Sequence, residues 1–171
     1  MSSGETIEIT LTDPQAAILN SNADRNLLMM GQGGGKTNTM GNLSYLLSQN
    51  VPDVMGLIAA NTYRQLTNST LKEIFKQWAS LGFTKYTEAN PSGSYVIDRT
   101  PPKTFTPHKY IFRDNDSKIY CKNGAVIVVA SLDNYMALEG MELGWALLDE
   151  TEATKEEAVT EVITARLREK G

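Results

Sequence analysis

Cysteine and histidine are almost absent: Cys121 and His108 are the sole examples in 171 residues. A single cysteine excludes an intrachain disulfide and argues against a zinc site, since each needs several such ligands. A lone His108 fits a surface or loop position better than a metal or catalytic one. No run of about 18 apolar residues occurs, so no membrane-spanning helix is expected. The opening Met1-Ser2-Ser3-Gly4-Glu5 lacks the basic and apolar parts of a secretory signal, and an intracellular location is expected. Positive charge is also short: 16 Lys and Arg against 20 Asp and Glu leave a net charge of −4. That excludes a basic protein that coats nucleic acid, but not one that touches DNA through a few residues. What remains, 41% hydrophobic and 21% charged, is the composition of a globular domain with one sizeable core.

Glycine is concentrated where it matters most. The stretch Leu27-Leu28-Met29-Met30-Gly31-Gln32-Gly33-Gly34-Gly35-Lys36-Thr37 reads as an apolar strand, a glycine-dense turn, and Lys-Thr opening a helix. Glycines let several backbone N–H groups turn towards one anion, and the helix N-terminus adds its positive dipole end. In this pattern Lys36 neutralises the β- and γ-phosphates and the Thr37 hydroxyl holds Mg²⁺. Gly31, Gln32, Gly33, Gly34, Gly35, Lys36 and Thr37 are therefore the candidate nucleotide-binding residues. The usual spacing, G-x-x-x-x-G-K-S/T, calls for glycine at position 30, where this chain has Met30, so the first glycine comes one place late. A flexible glycine-rich linker is the competing explanation, but linkers are rarely followed by Lys-Thr and a helical pattern.

The remaining chain alternates strand and helix patterns. Asp13-Pro14-Gln15 predicts a short helix with Asp13 as its N-cap. Asn26–Met30 predicts a first core strand covered on both faces. Thr37 to about Gln49 predicts a helix with Met40, Leu43, Leu46 and Leu47 on one stripe. Residues 54–60 predict a second buried strand. A helix is expected from about Thr70, where Thr70 and Glu73 can form a capping box, with Leu71, Ile74, Phe75 and Trp78 facing the core. Residues 82–116, broken by Pro91, Gly93, Pro101, Pro102 and Pro107, predict a loop-rich insertion with a short strand at Tyr95–Ile97. Lys118–Cys121 and Ala125–Ala130, joined through Asn123-Gly124, predict a hairpin. Gly144–Glu150 predicts another apolar strand, ending in two acids. A helix after the capping pair Thr154 and Glu157 carries Val159, Val162, Ile163 and Leu167. Such alternation predicts an α/β fold with a mainly parallel sheet.

The apolar strand that ends in Asp149-Glu150 would deliver both acids to the carboxyl edge of that sheet, where ligands of open α/β sheets bind. Asp149 would then complete the Mg²⁺ site near Thr37, and Glu150 would orient or deprotonate an attacking water. Upstream, Gln15 is a candidate for reading the adenine edge, because an amide donates and accepts at once; an exposed helix residue is the plain alternative.

With these residues in place, the chain resembles the ATPase domain of tailed-phage terminase large subunits, the motors that pump DNA into capsids. The likeness runs from about residue 10 to 170. It includes Asp13-Pro14-Gln15, the loop at 31–37, Asn61-Thr62-Tyr63-Arg64, the Asn123-Gly124 hairpin and Ala130-Ser131-Leu132-Asp133. It continues through Leu138-Glu139-Gly140-Met141-Glu142, the Asp149-Glu150 strand and Ala165-Arg166-Leu167-Arg168. The resemblance implies a P-loop NTPase three-layer sandwich with a mainly parallel central sheet and a β-hairpin insertion. It implies ATP and Mg²⁺ as cofactors, Lys36 and Thr37 on the phosphates and metal, Asp149 as the metal acid and Glu150 as the catalytic carboxylate, beside Lys36. Its implied partners are double-stranded DNA, the portal protein and the small terminase subunit, in a homo-oligomeric ring at the procapsid in the host cytoplasm, with no membrane. Many members carry a basic residue early in the loop where this chain has Gln32, so transition-state charge would come from elsewhere, with Arg64, Arg99, Arg113 and Arg166 as candidates.

The family continues into a coupling motif and an acidic nuclease domain. Residues 1–171 are therefore expected to be one partial ATPase domain, truncated before its last strands, with the nuclease domain absent. A helicase-like ATPase and a non-catalytic nucleotide-binding or assembly module are the alternatives; a second motor-like domain would mark the former, and Mg-ATP binding without hydrolysis the latter. The 171-residue chain alone is expected to hydrolyse ATP weakly or not at all; robust DNA-stimulated turnover by the purified monomer would contradict this.

Overall fold

The computed structural model describes residues 8–30, 33–110, 117–164 and 167. Its centre is a five-stranded sheet in the order β2-β3-β4-β1-β5. These strands are β1 (Met55–Ala60), β2 (Tyr95–Ile97), β3 (Lys118–Cys121), β4 (Val126–Ser131) and β5 (Leu143–Asp149). β1 pairs in parallel with both β4 and β5, whereas β2-β3 and β3-β4 are antiparallel. The helices are α1 (Asp13–Leu19), α2 (Lys36–Asn50), α3 (Tyr63–Gln65) and α4 (Leu71–Ser80), with a π-helical turn, Leu66–Thr70, joining α3 to α4.

Side chains alternate across β1. Ile58 and Ala60 face a core built from Met40 of α2 and Leu71, Ile74 and Trp78 of α4. Met55, Leu57 and Ala59 face a second core closed by Leu132, Leu138 and Ile163. Those residues belong to the 3-10 segment Leu132–Leu138 and the π-helical segment Ala158–Ile163. The expected three layers are therefore present.

β5 reaches both cores through a bulge. Met55 pairs with Leu143 but Gly56 pairs with Trp145, so Gly144 is the extra residue. The bulge sends Leu143 into one core and Trp145 into the other. It also lays the Trp145 indole over Gly56, within space that a Cβ would fill.

α2 does not bury the apolar stripe its leucines suggest. Its buried residues are Thr39, Met40, Gly41, Asn42, Ser44 and Ser48; Leu43, Leu46 and Leu47 are half-buried. Small residues let α4 approach closely. The Trp78 indole N–H donates to the Gly41 carbonyl oxygen at 3.1 Å and to Ser44 Oγ at 3.0 Å. A tryptophan with 0% exposure thus keeps its polar atom satisfied.

Three sequence expectations are corrected. Asn26–Met30 is not a core strand but irregular chain, with Leu27 77% and Met29 82% exposed. A parallel strand needs a partner ladder. Among the described residues β5 pairs with β1 on one side and meets only the single Leu143–Leu167 bridge otherwise. α1 is capped by Thr12 rather than Asp13. The helical run expected from Thr70 begins at Tyr63, capped by Thr62, whose Oγ1 accepts from Gln65 N.

The insertion joins the main core by packing Phe83 and Tyr95 against Trp78 of α4. Burial pushes the Tyr95 phenol and the sealed Cys121 thiol each up to about 12. His108 lies in a loop, half-buried, and its Nε2–H donates to the Cys121 carbonyl oxygen at 2.8 Å. Burial lowers its pKa.

Gly56→Ala is expected to destabilise the chain by about 1–3 kcal/mol, the range for overpacking a filled site. Urea unfolding measures this. Adding Trp145→Leu should recover part of the loss, and an undiminished loss would locate the clash elsewhere.

Candidate functional site

The carboxyl edge of the sheet is where the predicted residues can meet. β1 and β5 are parallel and end together, Ala60 opposite Asp149. α2 has 15 residues, about 22 Å at 1.5 Å per residue. β1, with 6 residues, is about 20 Å long. The short link at 51–54 joins the end of α2 to the start of β1, so α2 runs back along the sheet. At the far edge Asn123 Nδ2 donates to Ser48 O at 2.9 Å, fixing the C-terminus of α2 against the hairpin turn. The N-terminus of α2, Lys36, therefore lies at the edge where β1 and β5 end.

Glycine earns the turn into α2 its shape. Gly33 has φ +76° and Gly35, the N-cap, φ +84°, both in the left-handed region. Lys36 and Thr37 are half-buried in the first turn that follows. Gly31 and Gln32 lie outside the described residues.

Gln15 is buried, not an exposed helix residue. Its Oε1 accepts from Thr12 N at 3.0 Å, and its Nε2 donates to Gly35 O at 3.3 Å. A Cβ on Gly35 would come within 2.8 Å of that nitrogen. Gln15 thus ties α1 to the mouth of the loop, and its carboxamide retains one lone pair and one N–H for another partner.

Asp149 is the buried carboxylate of this edge, 7% exposed. Its Oδ2 accepts from Thr70 Oγ1 at 2.7 Å, and its Oδ1 accepts from Glu150 N at 3.1 Å. Among the described residues no lysine or arginine forms an ion pair with it. Thr70, expected as a helix cap, is instead already helical, at φ −56°, and gives its hydroxyl to this acid. Thr154, the other expected cap, donates to Asn61 Oδ1 at 3.3 Å, linking the segment after β5 to the end of β1.

Glu150 is exposed and left-handed, φ 52° and ψ 45°. A glutamate in that region is strained, a state that persists where surrounding structure imposes it. Of the candidate arginines, Arg64 is exposed in α3, just past the end of β1, and Arg99 is exposed in the insertion; Arg113 and Arg166 lie outside the described residues.

Hard oxygen donors suit Mg²⁺, which binds through one or two carboxylates plus phosphate oxygens. The Thr37 hydroxyl and the Asp149 carboxylate are a donor set of that kind. Among the described residues no cluster of three or more His, Cys, Asp or Glu could hold a metal by itself. No helix of the described residues is long and apolar enough to cross a membrane.

No protein-family model matches the sequence, and no curated protein does. Two solved structures share the fold: the large terminase ATPase domain of Thermus phage P74-26 and a point variant of it. Each is 18% identical, with a TM-score of 0.61, over 92% of this chain and 60% of the other. The chain therefore has the fold of a terminase ATPase domain and spans 60% of the length of those neighbours.

Removing the Cβ from the left-handed position relieves about 1 kcal/mol, net of glycine's extra chain entropy. Glu150→Gly is thus expected to raise the thermal midpoint by about 2–4 °C. An unchanged or lower midpoint would show that position 150 carries no such strain.

Proposed function

We propose that this chain is the ATPase domain of a phage terminase large subunit, hydrolysing ATP to drive viral DNA into a procapsid. One observation carries the proposal: a glycine-shaped helix start bearing Lys36 and Thr37 shares a sheet edge with a buried aspartate and a strained glutamate. The fold of the two terminase neighbours supports it.

In this mechanism the amides of Gly33, Gly34 and Gly35, with those of Gly31 and Gln32, surround the triphosphate, and Lys36 balances its charge. Gln15 offers its remaining lone pair and N–H to the adenine edge while holding the loop to α1. Mg²⁺ would be held by Thr37 and Asp149 and would neutralise charge on the β- and γ-phosphates. Glu150 accepts a proton from, or orients, the water that attacks the γ-phosphorus, and the β–γ bridging oxygen leaves with ADP. Arg64, exposed in α3 just past the end of β1, suits a role on a neighbouring subunit's phosphates.

In that motor residues 1–171 supply the ATPase part. The working partners are double-stranded DNA, portal and small subunit, with copies of the chain in a ring at the procapsid in the host cytoplasm.

Lys36→Ala is expected to weaken binding of a fluorescent ATP analogue at least tenfold, as loss of a charged phosphate contact of about 1.5–3 kcal/mol requires. Glu150→Gln should bind the analogue as the parent does yet lose hydrolysis by about 100-fold or more in the assembled motor, the scale of a lost general base. Undiminished hydrolysis by Glu150→Gln would refute the assignment. Tight binding with no hydrolysis by the parent motor would favour the assembly module.

A further inference from the structure

The Thr70 hydroxyl is buried, 1% exposed, and its partner lies on a different element, 79 residues along the chain. At 2.7 Å to a carboxylate oxygen this is a charge-assisted hydrogen bond, stronger than a neutral one. A serine or threonine in a helix ordinarily bonds back to a carbonyl of its own preceding turn. Thr67, three residues earlier, does so, donating to Tyr63 O at 2.9 Å. Thr70 instead reaches across to the end of β5.

The backbone explains how. Leu66–Thr70 is a π-helical turn between two α-helical stretches. A π-turn is wider than an α-turn, so residues four apart stack nearly in one column, and such turns recur at functional sites. Here Leu66 and Thr70 are the two buried residues of the turn. Leu66 packs into the core, and Thr70 takes the polar end of the same column, at the carboxyl edge. The second clamp is the Glu150 N–H, which donates to Asp149 Oδ1 at 3.1 Å. A carboxylate's terminal torsion is intrinsically broad. With one donor on each oxygen, the Asp149 carboxylate is held in one plane.

The geometry points to Thr70 as a positioning residue: its hydroxyl, delivered by the π-turn, fixes the Asp149 carboxylate in the orientation from which that acid meets the magnesium of a bound Mg-nucleotide. This rests on the proposed nucleotide site and goes beyond it by assigning a role to a residue outside the loop and the acidic pair. Outer partners that orient metal-ligating carboxylates change metal affinity by about 10–100-fold when removed.

The test titrates Mg²⁺ against binding of a fluorescent ATP analogue to the full 171-residue chain, for the parent and for Asp149→Asn, Thr70→Val, Thr70→Ser and Thr70→Cys. Asp149→Asn calibrates the site. If it leaves the Mg²⁺ requirement unchanged, the proposed nucleotide site is wrong and the role of Thr70 falls with it. If it raises the requirement, Thr70→Val is expected to raise the half-saturating Mg²⁺ concentration by about 10-fold. Its affinity for the analogue without metal should stay at the parent value, and Thr70→Ser should restore the parent's Mg²⁺ dependence. A folded Thr70→Val with the parent's Mg²⁺ dependence overturns the inference, as does Thr70→Ser matching Thr70→Val. Should the valine variant not fold, Thr70→Cys decides: its weak S–H donor predicts an intermediate rise, and the parent's Mg²⁺ dependence in that variant overturns the inference.

Discussion

The pairing of β1 with β5 sets the position of everything else at the site. Six residues of β1 lie fully buried between two parallel neighbours. A parallel ladder ends both strands at one edge, and the register places Asp149 beside Ala60. The helices before and after β1 must then start or finish at that same edge. That constraint sets the start of α2 and the cap residue Thr62 at the same edge as Asp149, and the buried hydroxyl of Thr70 bonds that acid from 79 residues away.

Energetically, the edge is an island of polar bonds on an apolar base. Beneath it the core is closed by Ile58, Leu66, Ile74, Trp78 and Trp145, where burial of apolar area supplies the stability. A carboxylate this deep is costly unless each oxygen has a donor. Asp149 has one donor on each. The same economy recurs where α2 meets α4: Trp78 Nε1 bonds α2 twice, and Gln77 Nε2 donates to Asn42 Oδ1 at 2.8 Å. The helix that carries Lys36 is thereby locked to the helix that follows Thr70, so the two sides of the edge are mechanically one piece.

Much of this was legible before any coordinates. The continuous apolar runs at 55–60 and 143–149 and the Asn123-Gly124 hairpin appear as strands at nearly the expected limits, because a doubly covered strand needs unbroken apolar residues and a tight turn needs glycine. The short strand Tyr95–Ile97 was legible too, and so was the buried face of α4. The misreadings have a common cause, in that local pattern does not name a distant partner. Leu27 and Met29 look like core residues, yet an apolar run becomes a central strand only if another strand is beside it. Thr70 and Thr154 have capping-box spacing, but their hydroxyls bond Asp149 and Asn61 across the fold. α2 reads as a leucine-faced helix, whereas close approach of Gln77 selects its Gly41 and Ser44 side. At the site, the glycine-Lys-Thr start and the acidic pair were visible in one dimension. The donor that holds Asp149 and the left-handed backbone of Glu150 were not, since both arise from tertiary packing.

The sealed thiol has a practical side. Cys121 is the chain's sole cysteine, wholly buried, and the pKa of about 12 leaves almost no thiolate at neutral pH. The native protein is therefore expected to be silent towards maleimide dyes. A cysteine introduced at exposed Tyr63, in α3 just past the end of β1, would be the single labelled position, placing a fluorophore beside the edge without first stripping the background.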